Sequence, residues 1–186
     1  MAKIKTNVDI ASEFRYSDPF LNEDNLVIFI SQSGETLDTL MALKLARSKG
    51  AKTLAITNVV GSTISREADV VLYTVAGPEI SVASTKAYTT QVVTFYLLAL
   101  YVAFKCNRVT LEEYESYLDK IYSLSEKIGK MFFNKEKIEK IAQEVKDRKN
   151  GFYIGRGIDE KITREGSLKM KEITYIHTEA FPAGEL

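Results

Sequence analysis

Five apolar residues in a row, Leu26 to Ile30, run straight into "SQSGET", Ser31 to Thr36. An unbroken apolar run marks a strand buried on both faces, as in a parallel sheet; a strand with one wet face would alternate. A second buried strand, Lys52–Thr57, and a third strand, Val70–Thr74, follow along the chain. The spacing between the first two predicts a helix over Thr36–Ser48, with Leu37, Leu40, Met41 and Leu45 as its apolar face and Gly50 closing it. Strand, helix, strand, short helix, strand predicts an α/β fold, a doubly wound three-layer α/β/α parallel sheet.

Around that centre, Lys3–Ile10 reads as a short strand, Ala11–Tyr16 as a turn of helix and Ser17–Asn25 as turns. Ala76–Thr85 is a long loop into an apolar helix, Lys86–Phe104. A more polar helical stretch, Leu111–Met131, is broken by Phe132–Lys137 before another at Ile138–Arg148. The pattern restarts at Gly151–Gly157, strand plus turn, with a helix over Lys161–Ile176. The expected organisation is a first α/β core over 1–108, a helical connector over 109–148 and the beginning of a second unit over 149–186. Segments 29–46 and 152–176 form a weak internal repeat, and both ends of the pattern read as cut.

Composition removes several functions. Lys plus Arg and Asp plus Glu are 25 each, so no net field draws nucleic acid or an anionic membrane. One cysteine and one histidine allow neither an internal disulfide nor a Cys/His metal site, and no metal or cofactor is expected. The first nine residues lack the apolar core of a signal peptide. Val92–Phe104, the longest apolar run, falls short of the roughly 20 residues that span a bilayer, and reads as a buried helix. A soluble, cytoplasmic protein is expected.

Ser31, Ser33 and Thr36 with Gly34 stand where a buried strand hands over to a helix. A helix N-terminus carries unpaired N–H groups and the positive end of the helix dipole, so these residues can cradle a phosphate-sized anion. The other reading is helix capping by the same hydroxyls. The segment is neither a P-loop nor a dinucleotide fingerprint, which favours a small phosphorylated ligand over a nucleotide. "SVASTKAYTTQ", Ser81–Gln91, repeats the arrangement, again as an anion site or an N-cap. Glu165, Lys169 and Glu172 share one helix face, as a solvated ion-pair stripe or as a proton shuttle. His177 reads as structural.

"SQSGET", "ASEFRY", "VASTKAYTTQ", "GRG" and "EGSLKMKEITYIHTEAFPAGEL" resemble, in order and over nearly the whole chain, the isomerase part of glucosamine-6-phosphate synthase, or glutamine–fructose-6-phosphate transaminase. The resemblance implies a sheet of the sugar-isomerase (SIS) type, with a helical connection to the start of a second SIS unit. It implies an enzyme that adds ammonia to fructose 6-phosphate and isomerises the product to glucosamine 6-phosphate. Ser31, Gln32, Ser33 and Thr36 match phosphate-binding positions, and Val82 and Ser84 positions near the sugar. Glu172 matches the carboxylate that moves a proton between C1 and C2, with Lys169 and Glu165 as supporting residues. The resemblance also implies a homodimer and a glutaminase domain in the full-length protein. The glutaminase cysteine, the ring-opening histidine of a Lys-His-Gly motif and a Schiff-base lysine have no match here, so the chain alone is expected to turn over little. A stand-alone SIS isomerase or deaminase and a non-catalytic sugar-phosphate sensor are the rival readings.

Overall fold

The structure, a computed structural model, describes residues 2–186. The chain divides into two compact units, Met1–Tyr122 and Ser123–Leu186. In the first, β1 (Leu26–Ser31), β2 (Lys52–Thr57) and β3 (Val70–Tyr73) form a parallel sheet in that order. The register sets Ser31 beside Thr57 and Thr57 beside Tyr73, so all three strands end along one edge. That edge is where open parallel sheets present their loops to ligands.

The core follows from strand alternation. Phe29 and Ala55 face α2 (Leu37–Ser48) and α3 (Thr63–Glu67), packing with Ala42, Leu43, Ala46 and Ile64. Leu54 and Ile56 alternate to the opposite face and are also buried. α4 (Lys86–Lys105) contacts β2, and its Leu100 and Ala103 are fully enclosed. At the sheet's other end, Asp69 Oδ2 accepts from the Thr53 amide and hydroxyl, both at 2.8 Å, and the Asp69 N–H returns a bond to Thr53 Oγ1. α1 (Ala11–Phe14) packs on α2, and α5 (Leu111–Tyr122) on α4, where the Phe104 and Tyr114 rings lie 4.8 Å apart.

In the second unit, α6 (Leu124–Met131), a 3-10 turn at Phe132–Asn134 and α7 (Lys135–Val145) precede β4 (Asn150–Gly155), α8 (Ile158–Thr174) and β5 (His177–Pro182). β4 and β5 pair in parallel with α8 as the crossover. Ser167 and Thr178 lock helix to strand reciprocally: each hydroxyl donates to the other's carbonyl, at 2.8 and 2.9 Å.

Several expectations need correction. Lys3–Ile10 forms no strand; Val8 and Ile10 stand in solvent with no neighbouring strand to pair with. The buried face of α2 is Thr39, Ala42, Leu43 and Ala46, whereas Leu37 and Met41 are exposed. Two alanines let the helix settle close on the sheet, and the bulkier leucines flank that contact. α4 is buried along one stripe only. It is long and apolar enough to cross a membrane by length and composition, with 17% of that window buried. Leu111–Met131 is two helices, and α7 begins before Ile138. The strand β5 was not anticipated, because "HTEAFP" lacks an unbroken apolar run.

The α2 packing is testable by denaturant unfolding. Leu43→Ala, at a site 0% exposed, is expected to cost about 2–5 kcal/mol. Met41→Ala, at 37% exposure, is expected to cost less than about 1 kcal/mol. Equal losses would return the core to the Met41 face.

Candidate phosphate-binding loop and charged stripe

The loop after β1 is built from its own hydroxyls. Ser31, nearly buried, accepts a 3.0 Å bond from the Gly34 N–H and shares a 2.9 Å bond with Thr36 Oγ1. Ser33 Oγ accepts from the Glu35 N–H at 3.2 Å. Thr36 is the N-cap residue of α2, yet its side chain makes no capping bond. Capping is therefore not what the hydroxyl does, and no cap from that side chain covers the first-turn amides.

Three contacts fix the loop from behind. Gly34 adopts φ +66, and a Cβ there would lie 2.0 Å from Ser62 Oγ and 2.8 Å from Thr57 Oγ1, so only glycine fits. The Gly34 carbonyl accepts from the Ile64 N–H at 2.9 Å. Glu35 Oε1 accepts from the Thr63 N–H at 2.7 Å; bonding from Thr63 holds its carboxyl below the usual range, with Arg66 adding a smaller pull. The loop carries no Lys or Arg, so amides and hydroxyls would meet an anion's charge. Ser33 and Gln32 are half-buried and Thr36 is exposed, open to a ligand.

The second hydroxyl-rich segment lies on the loop between β3 and α4. Val82 is wholly exposed, Ala83 buried and Ser84 half-buried. Thr85 makes no capping bond; Glu79 Oε2 takes that place, accepting from the Ala87 N–H at 3.1 Å. A carboxylate thus already occupies the start of α4, which favours the cap reading there. The loop begins with Val75 at φ +52, costly for a β-branched residue by about 1–3 kcal/mol. Asn58 holds it: Oδ1 accepts from the Ala76 N–H at 2.8 Å and from Thr74 Oγ1 at 3.2 Å, while Nδ2 donates to the Gly77 carbonyl at 2.8 Å.

In the second unit, α8 brings Glu165, Lys169 and Glu172 together as their spacing predicts. Lys169 Nζ lies 2.6 Å from Glu172 and 3.5 Å from Glu165. The Glu172 bond, reinforced by Glu165, raises the Lys169 pKa above its ordinary value of 10.5. Lys169 and Glu165 are less exposed than their apolar neighbours Leu168 and Ile173. His177 is exposed, 3.2 Å from Glu179.

Sequence reasoning missed Asn58, Glu79 and Glu160. Asn58 could have been found, since a polar residue directly after a buried strand repeats the position of Gln32 after β1. Glu160 follows a turn in which a Cβ on Gly155 would strike the Glu160 amide at 2.6 Å. It is 3% exposed, bonded at 2.6 Å by Lys161 and by Arg164, and these partners hold its carboxyl below its ordinary 4.5.

Comparison with known proteins is consistent with this geometry. The model for the SIS domain matches residues 1–101. The chain belongs to the SIS domain family. It is 64% identical over 178 residues to a glutamine–fructose-6-phosphate aminotransferase (isomerizing) of Fusobacterium nucleatum, covering 96% of this chain and 29% of that protein. It is 56% identical to the enzyme of the same name from Caldanaerobacter subterraneus, over 100% of this chain and 30% of that one. The C-terminal domain of glucosamine-fructose-6-phosphate aminotransferase from Francisella tularensis superposes with a TM-score of 0.96 at 39% identity, over 100% of this chain and 52% of that one. The SIS chain thus spans less than a third of the length of these curated relatives.

Two outcomes test the local geometry. Gly34→Ala is expected to cost more than about 2 kcal/mol in thermal or denaturant unfolding, from the clash and the left-handed backbone together. Glu160 has a lowered folded pKa, so its contribution is complete above pH 4.5 and is lost as pH falls below it. Glu160→Gln is expected to flatten the acid limb of a melting-temperature profile; an unchanged limb would remove Glu160 from it.

Proposed function

We propose that this chain is the sugar-phosphate-binding isomerase portion of a glutamine–fructose-6-phosphate aminotransferase, a cytoplasmic enzyme that forms glucosamine 6-phosphate from fructose 6-phosphate and ammonia. Residues 1–108 supply the core of the first SIS unit, 109–148 connect, and 149–186 begin the second. In the parent enzyme a glutaminase domain delivers the ammonia and two copies pair.

The observation that carries the reading is the uncapped start of α2. With Ser31 as the donor in the bond the two hydroxyls share, the Thr36 hydroxyl is free to donate to a phosphoryl oxygen. Ser33 and Gln32 add donors, and Val82 and Ser84 contact the sugar. The phosphate is remote from the reacting carbons, so its binding energy is used for orientation. Glu172 takes a proton from one of C1 and C2 and returns it to the other, as the imine becomes the amino aldose. Lys169 compensates the carboxylate charge as it changes. Glu165 holds Lys169 in place.

Isothermal titration with fructose 6-phosphate tests the cradle. Hydrogen bonds to a charged group contribute about 1.5–3 kcal/mol each. Ser33→Ala combined with Thr36→Ala is therefore expected to weaken binding by about 100-fold or more. Affinity equal to the parent's would remove the loop from the site.

A further inference from the structure

Both ligand segments of the first unit hang from one residue that no functional role above uses. The Asn58 N–H donates to the Gln32 carbonyl inside the phosphate loop at 3.1 Å. Its carboxamide, through Ala76, Thr74 and Gly77, holds the start of the loop that carries Val82 and Ser84. The far end of that loop is tied by Glu79 to the first turn of α4. Between Thr74 and Ala76, both bonded to Asn58, sits Val75, 84% exposed and left-handed at φ +52. Strain of this kind persists only where the surroundings over-determine it, and here the Asn58 carboxamide is the device that does so.

We propose that Asn58 is a positioning residue that sets the sugar-contacting loop Ala76–Thr85 at a fixed distance from the phosphate loop, so that the ketose carbon chain and the phosphoryl group are gripped together. The inference rests on the sugar-phosphate reading. The division of labour within Asn58 makes it separable from general structural support. Its main-chain bond to Gln32 survives any substitution but proline, and the other phosphate-loop bonds, from Ser31, Ile64 and Thr63, do not involve its side chain. Losing the carboxamide should therefore free the sugar loop and leave the phosphate loop intact.

The experiment compares Kd values for fructose 6-phosphate, by calorimetry, and for inorganic phosphate, by phosphorus NMR, in the parent chain and two variants. Asn58 is half-buried, so Asn58→Ala is expected to fold, with circular dichroism as the check. It is expected to bind fructose 6-phosphate about tenfold more weakly and inorganic phosphate within about twofold of the parent. Asn58→Ala with Val75→Asn, which favours the left-handed backbone without help, is expected to recover fructose 6-phosphate affinity to within about threefold. Equal losses for both ligands, an unchanged fructose 6-phosphate Kd, or no recovery in the double variant would overturn the positioning role. If those results accompany fructose 6-phosphate binding that Ser33→Ala with Thr36→Ala abolishes, the phosphate cradle stands without it. A parent chain that binds fructose 6-phosphate no better than phosphate removes the sugar-phosphate reading and this inference together.

Discussion

The close approach of Gly34 to α3 is the constraint on which the first unit's site depends. Parallel pairing brings Ser31 and Thr57 side by side, so whatever follows β1 must turn away within a few residues or run into the segment after β2. The chain turns at Gly34 with its Cα pressed toward Ser62 and Thr57, closer than any side chain would permit. That turn puts the Gly34 carbonyl on Ile64 and the Glu35 carboxylate on Thr63, which welds the loop to α3. It also folds Ser31 back onto Thr36. With its backbone and hydroxyls engaged this way, the loop leaves the first turn of α2 uncovered by the Thr36 side chain, and an anion-receptive helix start follows from a steric fact about one glycine.

The two units carry charge in different ways. The Ser31–Thr36 loop has no cation, and its one carboxylate, Glu35, is turned to the start of α3. Dipoles and hydroxyls can bind an anion without a fixed counter-charge and so can release it readily. The stripe on α8 does the reverse. It holds a full ammonium between two carboxylates, partly shielded, with Lys169 more firmly protonated than usual. Such a cluster can absorb the gain or loss of one carboxylate charge by shifting its ammonium, which suits a group that takes up and returns a proton.

The strands β1, β2, β3 and β4 and the charged stripe were legible because each rests on short-range pattern: clustered apolar residues for the strands, helical periodicity for Glu165, Lys169 and Glu172. The hydroxyl loop was legible too, but not its choice between capping and cradle, since that turns on Thr36 bonding Ser31 rather than its own helix. The face of α2 was misread because hydrophobicity was taken as the guide to burial. Closeness of helix to sheet rewards Ala42 and Ala46, whose small size is invisible to an apolar count. Lys3–Ile10 has the alternation of a strand but lacks a partner, and β5 has a partner but little alternation. Pairing is a property of two segments, and a reading of one segment at a time cannot see it.

Asn58 shows the same point at the level of a single side chain. An asparagine after a strand ordinarily reads as a turn residue. Its importance here comes from three partners 16 to 19 residues away, and from the backbone of Val75 that those bonds hold in place. A valine is a poor choice for a left-handed position and a good one for a β-strand, so local propensity at Val75 argues for extending β3. The strand nonetheless ends at Tyr73, and the Asn58 carboxamide bonds Thr74, Ala76 and Gly77 around Val75. Conflict between local and tertiary preference is expected where geometry serves a ligand rather than stability. In the described chain that conflict falls on the sheet edge where the phosphate loop also lies.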